Sequence, residues 1–326
     1  MRIATWNLEN FDHRRSDPAQ LERRLAVLRP LLERLEADIL CLQEINADQQ
    51  HHRARRSLAS LDRLIAGTRY AGFHRAYTRR ANDEPLDIHN LVALSRYPIA
   101  ESWQIRNELV PAWRWALPDM LAAGHSADAA TVEVSWDRPA LYFRIETADG
   151  MPLHIVNLHL RASRAAPIFA GASVAENGSI AGWAAGFFLA AQKQIGQALE
   201  VRLTVDRLFA REPGARILVC GDMNAESHEM PVRLLRAAAE DTGRADSALR
   251  ALAAIEERLP ASRRFSVRHA GRPVMLDHIL ASEPLARYCA SVDILNEGLA
   301  DEAYINEEPQ ASLHAALTAD FELQGG

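Results

Sequence analysis

Acidic, amide and imidazole side chains stand directly after five short apolar segments of the sequence. These side chains are Asn7 and Glu9 after residues 3–6, Glu44 after 39–43, His159 after 155–158, Asp222 and Asn224 after 217–221, and Asp277 and His278 after 274–276. A carboxylate beside buried apolar surface is costly unless it is paired, hydrogen-bonded or bound to a metal ion. One such position is weak evidence, but five in one chain predict a polar site held by strand ends.

The ligand types in this set favour a hard divalent cation. Carboxylate and amide oxygens are the ligands that Mg²⁺ and Mn²⁺ prefer, whereas zinc would require thiolates and imidazoles that the chain lacks at a usable spacing. The sequence also contains no HExxH, CxxC, Walker A, GxSxG or GxGxxG motif. Metalloproteases, P-loop enzymes, serine hydrolases and dinucleotide-binding enzymes therefore lose their most specific sequence signals.

The apolar segments that carry these side chains are predicted β-strands. Six are indicated, at residues 3–6, 39–42, 91–94, 155–160, 217–220 and 274–280. Most are apolar on both faces, which is typical of a sheet buried between two layers. Helical periodicity lies between them at residues 19–36, 57–65, 192–209 and 233–239. The alternation predicts an α/β fold, and because no repeat or linker divides the chain, we predict a single domain over residues 1–326.

Two segments interrupt this alternation. Residues 101–137 carry four tryptophans and scattered prolines, which predicts a long ordered connection. Residues 163–191 form an insert rich in alanine and glycine, whose apolar end at residues 180–191 is too short to cross a bilayer. We therefore predict no transmembrane segment. The four-residue glycine spacing favours a closely packed helix, and a hydrophobic lid or weak membrane contact through residues 180–191 is the alternative.

The composition is that of a globular protein. The chain has 326 residues, of which 48% are hydrophobic and 25% charged, and this excludes disordered, collagenous and multi-span membrane classes. A net charge of -6 argues against a bulk nucleic-acid coat, so an anionic partner requires a local basic patch. Among the 37 basic residues there is a single lysine, Lys193. Three cysteines and the absence of a visible signal peptide predict a cytoplasmic protein without a disulfide framework.

Seven short motifs together resemble the endonuclease/exonuclease/phosphatase superfamily of DNase-like, metal-dependent phosphoesterases. They are TWNLEN at 5–10, LQE at 42–44, NLVALSRYPI at 90–99, NLHL at 157–160, GDMNAE at 221–226, LDHIL at 276–280 and SLHAAL at 312–317. Each is weak by itself, but their combination and order are specific. The resemblance implies an α/β fold of the four-layer α/β/β/α sandwich type, in which two facing mixed β-sheets are flanked by helices and the site lies at one end.

The resemblance also implies roles for individual residues. The implied metal site, for Mg²⁺ or Mn²⁺, consists of Glu44 as principal ligand, Asn7 beside it and Glu9 as an acid outside it. The implied catalytic residues are His159, which donates to a phosphate oxygen, Asp222 and Asn224, which orient the attacking water, and Asp277, which orients His314. An imidazole with a carboxylate behind it can act as a general base or stabilise charge in the transition state.

One position departs from the family pattern. The family usually has Ser-Asp-His near its end, whereas this chain has Ser312, Leu313 and His314. The acid that helps to bind metal in many members is therefore missing, and Asp320 lies too far along the chain to replace it locally. Either the site works with one metal ion and fewer ligands, or catalysis is weakened.

These observations predict a metal-dependent phosphodiester hydrolase that acts on nucleic acid or a nucleotide. A basic cluster at residues 51–56, which includes His51, His52, Arg53, Arg55 and Arg56, could follow a phosphate backbone or could be a solvated helix start. One alternative is a phospholipid or small-molecule phosphatase whose residues 180–191 touch lipid. A second alternative is a catalytically degenerate scaffold that binds a phosphate ligand or a protein. The oligomeric state is not predicted.

Overall fold

The computed structural model describes residues 1–11, 18–49, 55–117, 126, 131–168, 178–305 and 311–323. The strands are β1 (Arg2–Phe11), β2 (Ile39–Ile45), β3 (His74–Tyr77), β4 (Asn90–Ser95), β5 (Ile99–Ile105), β6 (Trp113–Ala116), β7 (Thr131–Val134), β8 (Ala140–Glu146), β9 (Pro152–His159), β10 (Arg216–Asp222), β11 (Leu252–Ala254), β12 (Val267–His269), β13 (Arg272–Val274), β14 (Asp277–Ser282), β15 (Cys289–Ile294) and β16 (Leu317–Phe321). The α-helices are α1 (Pro18–Leu35), α2 (Ala59–Ile65), α3 (Ile180–Arg211), α4 (Met230–Arg236), α5 (Ala239–Thr242) and α6 (Glu283–Ala286). Short 3₁₀ turns cover Arg69–Gly72, Ala245–Arg250, Ile255–Arg258, Ala261–Arg263 and Glu302–Tyr304.

Two mixed six-stranded sheets form the centre of the fold. The first has the order β15-β16-β1-β2-β4-β3 and the second the order β11-β14-β10-β9-β8-β5. Each sheet contains one parallel pair, β1 with β2 and β9 with β10, and its other neighbours pair antiparallel. The sheets face each other, with β1 and β2 in contact with β10 and with β4 in contact with β9. The predicted pair of facing mixed sheets is therefore confirmed.

Helices cover the outer face of each sheet. The apolar stripe of α1, which includes Leu25, Leu28 and Leu32, packs on sheet one in a cluster with Leu40 and Leu42. Helix α3 packs on sheet two through a corresponding stripe, in a cluster with residues of β9 and β10. Burial of these stripes supplies the main apolar stabilisation of both outer layers. The α/β/β/α sandwich is therefore the observed architecture.

The predicted strands are present, with limits that differ by a few residues, except that the single strand expected at 274–280 is two. Strand β13 ends at Val274 and β14 begins at Asp277. The break occurs because the hydroxyl oxygen of Ser266 accepts hydrogen bonds from the backbone N–H groups of Leu276 and Asp277. These two N–H groups therefore donate to a side chain instead of to a neighbouring strand, and the strand is interrupted between β13 and β14.

Two other expectations need correction. The helix predicted at 192–209 begins at Ile180, so the apolar block forms its first turns, with Ser179 as N-cap accepting from the backbone N–H of Gly182. The segment 101–137 is not wholly irregular, because β6 and β7 pair as a hairpin within it. Apolar and polar residues alternate within both strands, as WRWA in β6 and TVEV in β7, which is the pattern of a half-buried strand. None of the described helices combines the length and apolar composition needed to cross a membrane.

The topology brings the ends of the central strands to one edge of the sandwich. His159 of β9 pairs with Asp222 of β10, which pairs in turn with Asp277 at the start of β14. Asn7 of β1 pairs with Gln43 of β2 in the facing sheet. Parallel strands end at the same edge, and an antiparallel neighbour starts there, so these side chains must meet.

Several residues at this edge of the sandwich have a strained backbone conformation. Glu9, Asn10, Glu44 and Asn224 all have a left-handed backbone, with φ between 48° and 59°. Side chains other than glycine seldom adopt that conformation, and each instance costs of the order of 1 kcal/mol. Residues with left-handed backbone concentrate where strained geometry serves a function, so this edge is the natural place to look for a site.

We expect Gly221→Ala to destabilise the protein by about 3 kcal/mol, because overpacking adds to conformational strain. Gly221 has φ 133°, and a Cβ atom there would lie 1.9 Å from the carbonyl oxygen of Leu158. Gly214→Ala is the matched control, since Gly214 has φ 89° but no atom within 4 Å of its Cβ position. Urea denaturation gives the free energy of unfolding of both variants. Gly214→Ala measures the cost of the backbone strain alone, and the further loss in Gly221→Ala measures the cost of the clash. Equal losses of stability would contradict the prediction.

Candidate active site

The structure brings the predicted residues of both sheets to one point. Ligand atoms of Glu44, His159 and Asp222 lie within 4.8 Å of one another, and so do those of Asp222, Asp277 and His314. Asp222 belongs to both groups, so the two groups form one continuous site. Three carboxylates and two imidazoles are thereby concentrated in a small, largely buried volume.

Asn7 joins the two carboxylates that come from different sheets. Its Nδ2 donates to Glu44 Oε1 at 3.2 Å and to Asp222 Oδ2 at 2.9 Å. Its Oδ1 accepts from the backbone N–H of Glu9 at 2.8 Å, which fixes the orientation of the amide. Asn7 therefore sets the spacing between Glu44 and Asp222.

Glu9 occupies the place beside the missing family acid. Its Oε2 accepts a hydrogen bond from the backbone N–H of Leu313 at 2.9 Å. Burial raises the pKa of Glu9, against the lowering effect of that hydrogen bond. The side chain of Leu313 is buried and lines an apolar cavity with Leu31 and Leu35 of α1. Position 313 thus contributes a backbone donor near the site and an apolar side chain to the outer layer.

Glu44 is held as a carboxylate. Its Oε2 accepts from the backbone N–H of Asn10 at 2.8 Å. Burial by itself raises the pKa of Glu44, but the imidazole of His89 beside it, the hydrogen bond from Asn10 and the charge of Arg138 together lower it below its usual value. Glu44 therefore keeps its negative charge in a nearly buried position.

His314 and Asp277 form the predicted pair. The Nδ1 of His314 lies 2.8 Å from Asp277 Oδ2, and its Nε2 lies 4.0 Å from Asp222 Oδ2. The backbone of His314 is fixed at both ends, because Ser312 Oγ accepts from its N–H and Trp6 Nε1 donates to its carbonyl. Burial opposes charging of this ring, yet the two carboxylates raise its pKa to about 10. His314 is consequently an imidazolium at neutral pH.

Asp222 is the central carboxylate. It accepts hydrogen bonds from Asn7 Nδ2 and, at 2.8 Å, from the backbone N–H of Asn224. Burial raises its pKa to about 7, with the Asp277 carboxylate adding to the effect and the nearby imidazolium opposing it. The side chain of Asn224 donates to the carbonyl of Leu160 at 3.1 Å, which fixes the loop after β10. Asp222 can therefore accept a proton near neutral pH.

His159 is the neutral imidazole of the site. Its Nε2 lies 3.6 Å from Glu44 Oε1 and 3.4 Å from Asp222 Oδ2, while its buried Nδ1 has no hydrogen-bond partner. Burial lowers the pKa of His159 far below its ordinary value, and the charge of Arg138 acts in the same direction. A neutral ring facing two carboxylates can offer them, or a bound phosphate, one N–H group.

Two residues of the site were not predicted from the sequence. Arg138 Nη1 lies 2.7 Å from His89 Nδ1, so that nitrogen accepts and the His89 Nε2–H donates to Asn10 Oδ1 at 2.9 Å. The guanidinium also donates to the carbonyls of His159 and Leu160. Arg138 lies two residues before β8, but no motif in the sequence distinguishes it from the other arginines. Arg138 places a fixed positive charge beside Glu44 and Asp222.

The basic cluster after β2 is only partly within the described residues. Residues 51–53 lie outside them. Arg55 pairs with Glu84 at 3.3 Å and Arg56 with Asp87 at 2.5 Å. Both arginines thus have acidic partners on their own surface, and their proposed contact with a phosphate backbone stays a prediction.

A second buried ion pair, between His278 and Glu256, lies next to the site. His278 Nδ1 lies 2.6 Å from Glu256 Oε1, and its Nε2 lies 2.8 Å from the carbonyl oxygen of Ala225. Since a carboxylate and a carbonyl can only accept, both ring nitrogens donate and His278 is charged. The pair ties the start of β14 to the loop that contains Asn224.

We expect Glu256→Leu to lower the free energy of unfolding by about 3–5 kcal/mol, because it leaves a buried imidazolium without its counter-ion. The double variant Glu256→Leu/His278→Leu removes both charges and should recover much of that loss. Urea denaturation of the wild type and the two variants measures both effects. If the double variant were no more stable than Glu256→Leu, the unpaired imidazolium would not be the cause of the loss.

The sequence model of the Endonuclease/Exonuclease/phosphatase family matches residues 4–301. No curated protein sequence matches the chain. The fold is similar to truncated TDP2 of Caenorhabditis elegans, with 15% identity, a TM-score of 0.56, and coverage of 98% of this chain and 96% of that one.

Two further solved structures show the same fold. The 3′ phosphatase NExo of Neisseria, solved with a product DNA hairpin, has 17% identity, a TM-score of 0.55 and 99% coverage of both chains. The mannosyl-6-phosphatase Bt3783 of Bacteroides thetaiotaomicron has 13% identity, a TM-score of 0.56 and 98% coverage of both chains. At these identities the likeness concerns the fold.

Proposed function

Since the chain belongs to the endonuclease/exonuclease/phosphatase family, whose members hydrolyse phosphoester bonds, we propose that it is a phosphodiester hydrolase that uses Mg²⁺ or Mn²⁺ and acts on nucleic acid or a nucleotide. The observation that carries the proposal is the arrangement around Asp222. Glu44 and Asp222 face His159 on one side, and the His314 imidazolium stands on the other. This arrangement offers negative charge for a cation and hydrogen-bond donors for a phosphate.

The residues present fit a divalent cation. Glu44 supplies an ionised carboxylate, and burial raises the pKa of Asp222, so a cation bound beside Asp222 would favour its ionised form. Oxygen donors with one imidazole suit Mg²⁺ or, more readily, Mn²⁺. Glu44 and Asp222 would hold the ion, with Asn7 aligning them and Glu9 outside. When bound, such an ion polarises a phosphoryl oxygen and neutralises developing charge.

The side chains of the site have separate roles in the proposed reaction. We assign Asp222, assisted by the backbone N–H of Asn224 beside it, the role of orienting the attacking water and accepting its proton. His314 enters as an imidazolium and donates to a phosphoryl oxygen, while Asp277 holds its ring in place. His159 offers a neutral N–H to a second oxygen. Donors that are already oriented stabilise the charge that develops on the phosphate.

The experiment is hydrolysis of bis(p-nitrophenyl) phosphate and of p-nitrophenyl phosphate with Mg²⁺, Mn²⁺ or EDTA. We expect metal-dependent cleavage of the diester that EDTA abolishes. Preference for the monoester would favour the small-molecule phosphatase alternative. No cleavage of either compound or of any oligonucleotide, together with no metal binding, would favour the degenerate scaffold in which Leu313 marks lost catalysis.

One observation keeps the phospholipid phosphatase as a second candidate. The first turns of α3 expose apolar side chains, among them Ile180 at 86%, Trp183 at 52% and Phe188 at 51% exposure. Exposed aromatic groups on one helix are a feature of surfaces that touch lipid or partners. Sedimentation with anionic and neutral vesicles tests this candidate, and absence of binding removes its support.

We retain the cytoplasm as the proposed location. The three cysteines are buried free thiols. Thiols that stay unpaired fit a reducing compartment. Fractionation of cells that express the full chain tests the location.

A further inference from the structure

A cluster of charged side chains lies next to the site and takes no part in the proposed chemistry. Lys193 Nζ contacts Asp137 Oδ1 at 2.6 Å, and Arg161 Nη1 contacts Asp137 Oδ2 at 2.7 Å. The three side chains are half-buried, with exposed fractions of 17%, 27% and 34% for Lys193, Arg161 and Asp137. We refer to them as the Asp137 cluster.

The Asp137 cluster adjoins the site through the chain itself. Asp137 directly precedes Arg138, and Arg161 is the second residue after His159. Within each of these two pairs the Cα atoms are therefore at most about 7 Å apart. Arg138 donates to the carbonyls of His159 and Leu160, and Leu160 directly precedes Arg161, so the two arginines meet on the same short segment after β9. The cluster is therefore a continuation of the phosphate-binding end of sheet two.

Helix α3 fixes the position of the cluster. Lys193 belongs to α3, and the next residue, Gln194, donates to the carbonyls of Met223 and Asn224. One turn later Gln197 donates to the carbonyl of Arg138. The same helix therefore positions the catalytic loop, the arginine of the site and the lysine of the cluster.

The charges of the cluster do not balance. Within the described residues, Asp137 is the acid that pairs with Arg161 and with Lys193, so two cations share one carboxylate. Asp137 is itself ionised, because its two cationic partners lower its pKa against the effect of burial. The Nε of Arg161 is buried without a hydrogen-bond partner. Half-buried positive charge in excess is costly unless an anion joins it, so the cluster is short of one anion.

We propose that Arg161 and Lys193 bind a second phosphate of the substrate, next to the scissile phosphate along a nucleic-acid strand. A nucleic-acid strand carries one phosphate per nucleotide, about 3.4 Å apart along the helix axis, so a neighbour is always present. Arginine presents a fork that matches phosphate, and lysine adds a point charge. The inference rests on the proposed function, since it requires the scissile phosphate to bind between Arg138 and Asp222.

The kinetic test compares three dinucleotides, TpT, pTpT and TpTp, which differ in one terminal phosphate. We expect the wild type to prefer one phosphorylated form over TpT by about tenfold in kcat/KM. Arg161→Gln and Lys193→Gln should each bring that ratio close to one, mainly through KM. Arg287→Gln is the matched control, because Arg287 pairs with Glu283 beyond the far end of β14 and should keep the preference. An equal rate on all three dinucleotides in the wild type would overturn the inference.

A binding test needs no turnover and uses the single lysine of the chain. Reductive ¹³C-methylation of the full chain keeps the charge and gives one lysine methyl resonance, that of Lys193. With EDTA present, we expect pTpT or TpTp to shift this resonance in a saturable way and TpT to leave it unchanged. In Arg161→Gln the dissociation constant obtained from the titration should rise about tenfold. Absence of a shift with all three ligands overturns the inference. If no phosphodiester is cleaved but the resonance shifts, the proposed function fails while the phosphate subsite stands.

Discussion

Glu44→Gln should reduce metal-dependent diester cleavage on the order of 10³-fold. The substitution keeps the shape of the side chain and removes one of the two charges that would hold the cation, and metal ions contribute several kcal/mol to transition states of this kind. Glu101→Gln is the control, since Glu101 is an exposed acid paired with Arg144. It should change the rate by less than about twofold, because surface ion pairs contribute little.

The same variant gives a readout that does not depend on turnover. Titration calorimetry with Mn²⁺ should show tight binding to the wild type and binding that is weaker by at least about tenfold in Glu44→Gln, since a ligand charge is lost. Unchanged Mn²⁺ affinity together with unchanged turnover would remove Glu44 from the metal site. A degenerate scaffold would show this indifference.

His314→Ala should lower kcat by about 10²–10⁴-fold, which is the usual contribution of a positioned acid or base. Asp277→Asn should lower it less, because the ring remains but loses its counter-ion. Measurement of kcat for the two variants on bis(p-nitrophenyl) phosphate checks the order. The prediction would be wrong if Asp277→Asn were the more damaging of the two.

The pH profile distinguishes the proposed donor role of His314 from a general-base role. With the pKa of His314 raised to about 10, the imidazolium persists through neutral pH, so activity should fall only as pH rises through about 10. The acidic limb belongs to Asp222, whose ionised form accepts the proton, and it should lie below the pKa of about 7 that burial gives this carboxyl, because a bound cation favours the ionised form. His314→Ala should therefore lose the alkaline limb and keep the acidic one. A general base would instead give activity that rises with pH through its own pKa.

The raised pKa of His314 also makes the stability of the protein depend on pH. A histidine whose pKa is raised on folding stabilises the folded state fully below its ordinary pKa near 6.5, and that contribution is lost as pH rises through about 10. His314→Ala should thus make the free energy of unfolding less dependent on pH over this interval. Urea denaturation at several pH values measures it.

Much of the site could be predicted because its residues end predictable strands. Apolar runs of β-type residues set the positions of Asn7, Glu44 and Asp222, and the parallel pairing of neighbouring strands then brings such ends together. The family resemblance supplied the pairing of Asp277 with His314, which the structure places 2.8 Å apart. Periodicity in the chain could not have found it, because the two residues are distant in sequence.

The remainder depends on tertiary contacts that leave no local pattern. Arg138 is one of many arginines in the sequence, and only the packing of α3 against its loop distinguishes it. The periodicity predicts a helix only from residue 192, twelve residues after α3 begins, because the preceding block is apolar without a helical period and contains Gly182 and Gly186, whose helix propensity is low. Burial of Gly182 and Gly186 against neighbouring segments outweighs that propensity.

The amide of Asn7 has an evolutionary consequence. Because one side chain hydrogen-bonds a carboxylate from each sheet, the two sheets cannot diverge as independent units. An exchange of one sheet between relatives would preserve the site only if positions 7, 44 and 222 were inherited as a compatible set. These three positions should therefore change together or remain fixed.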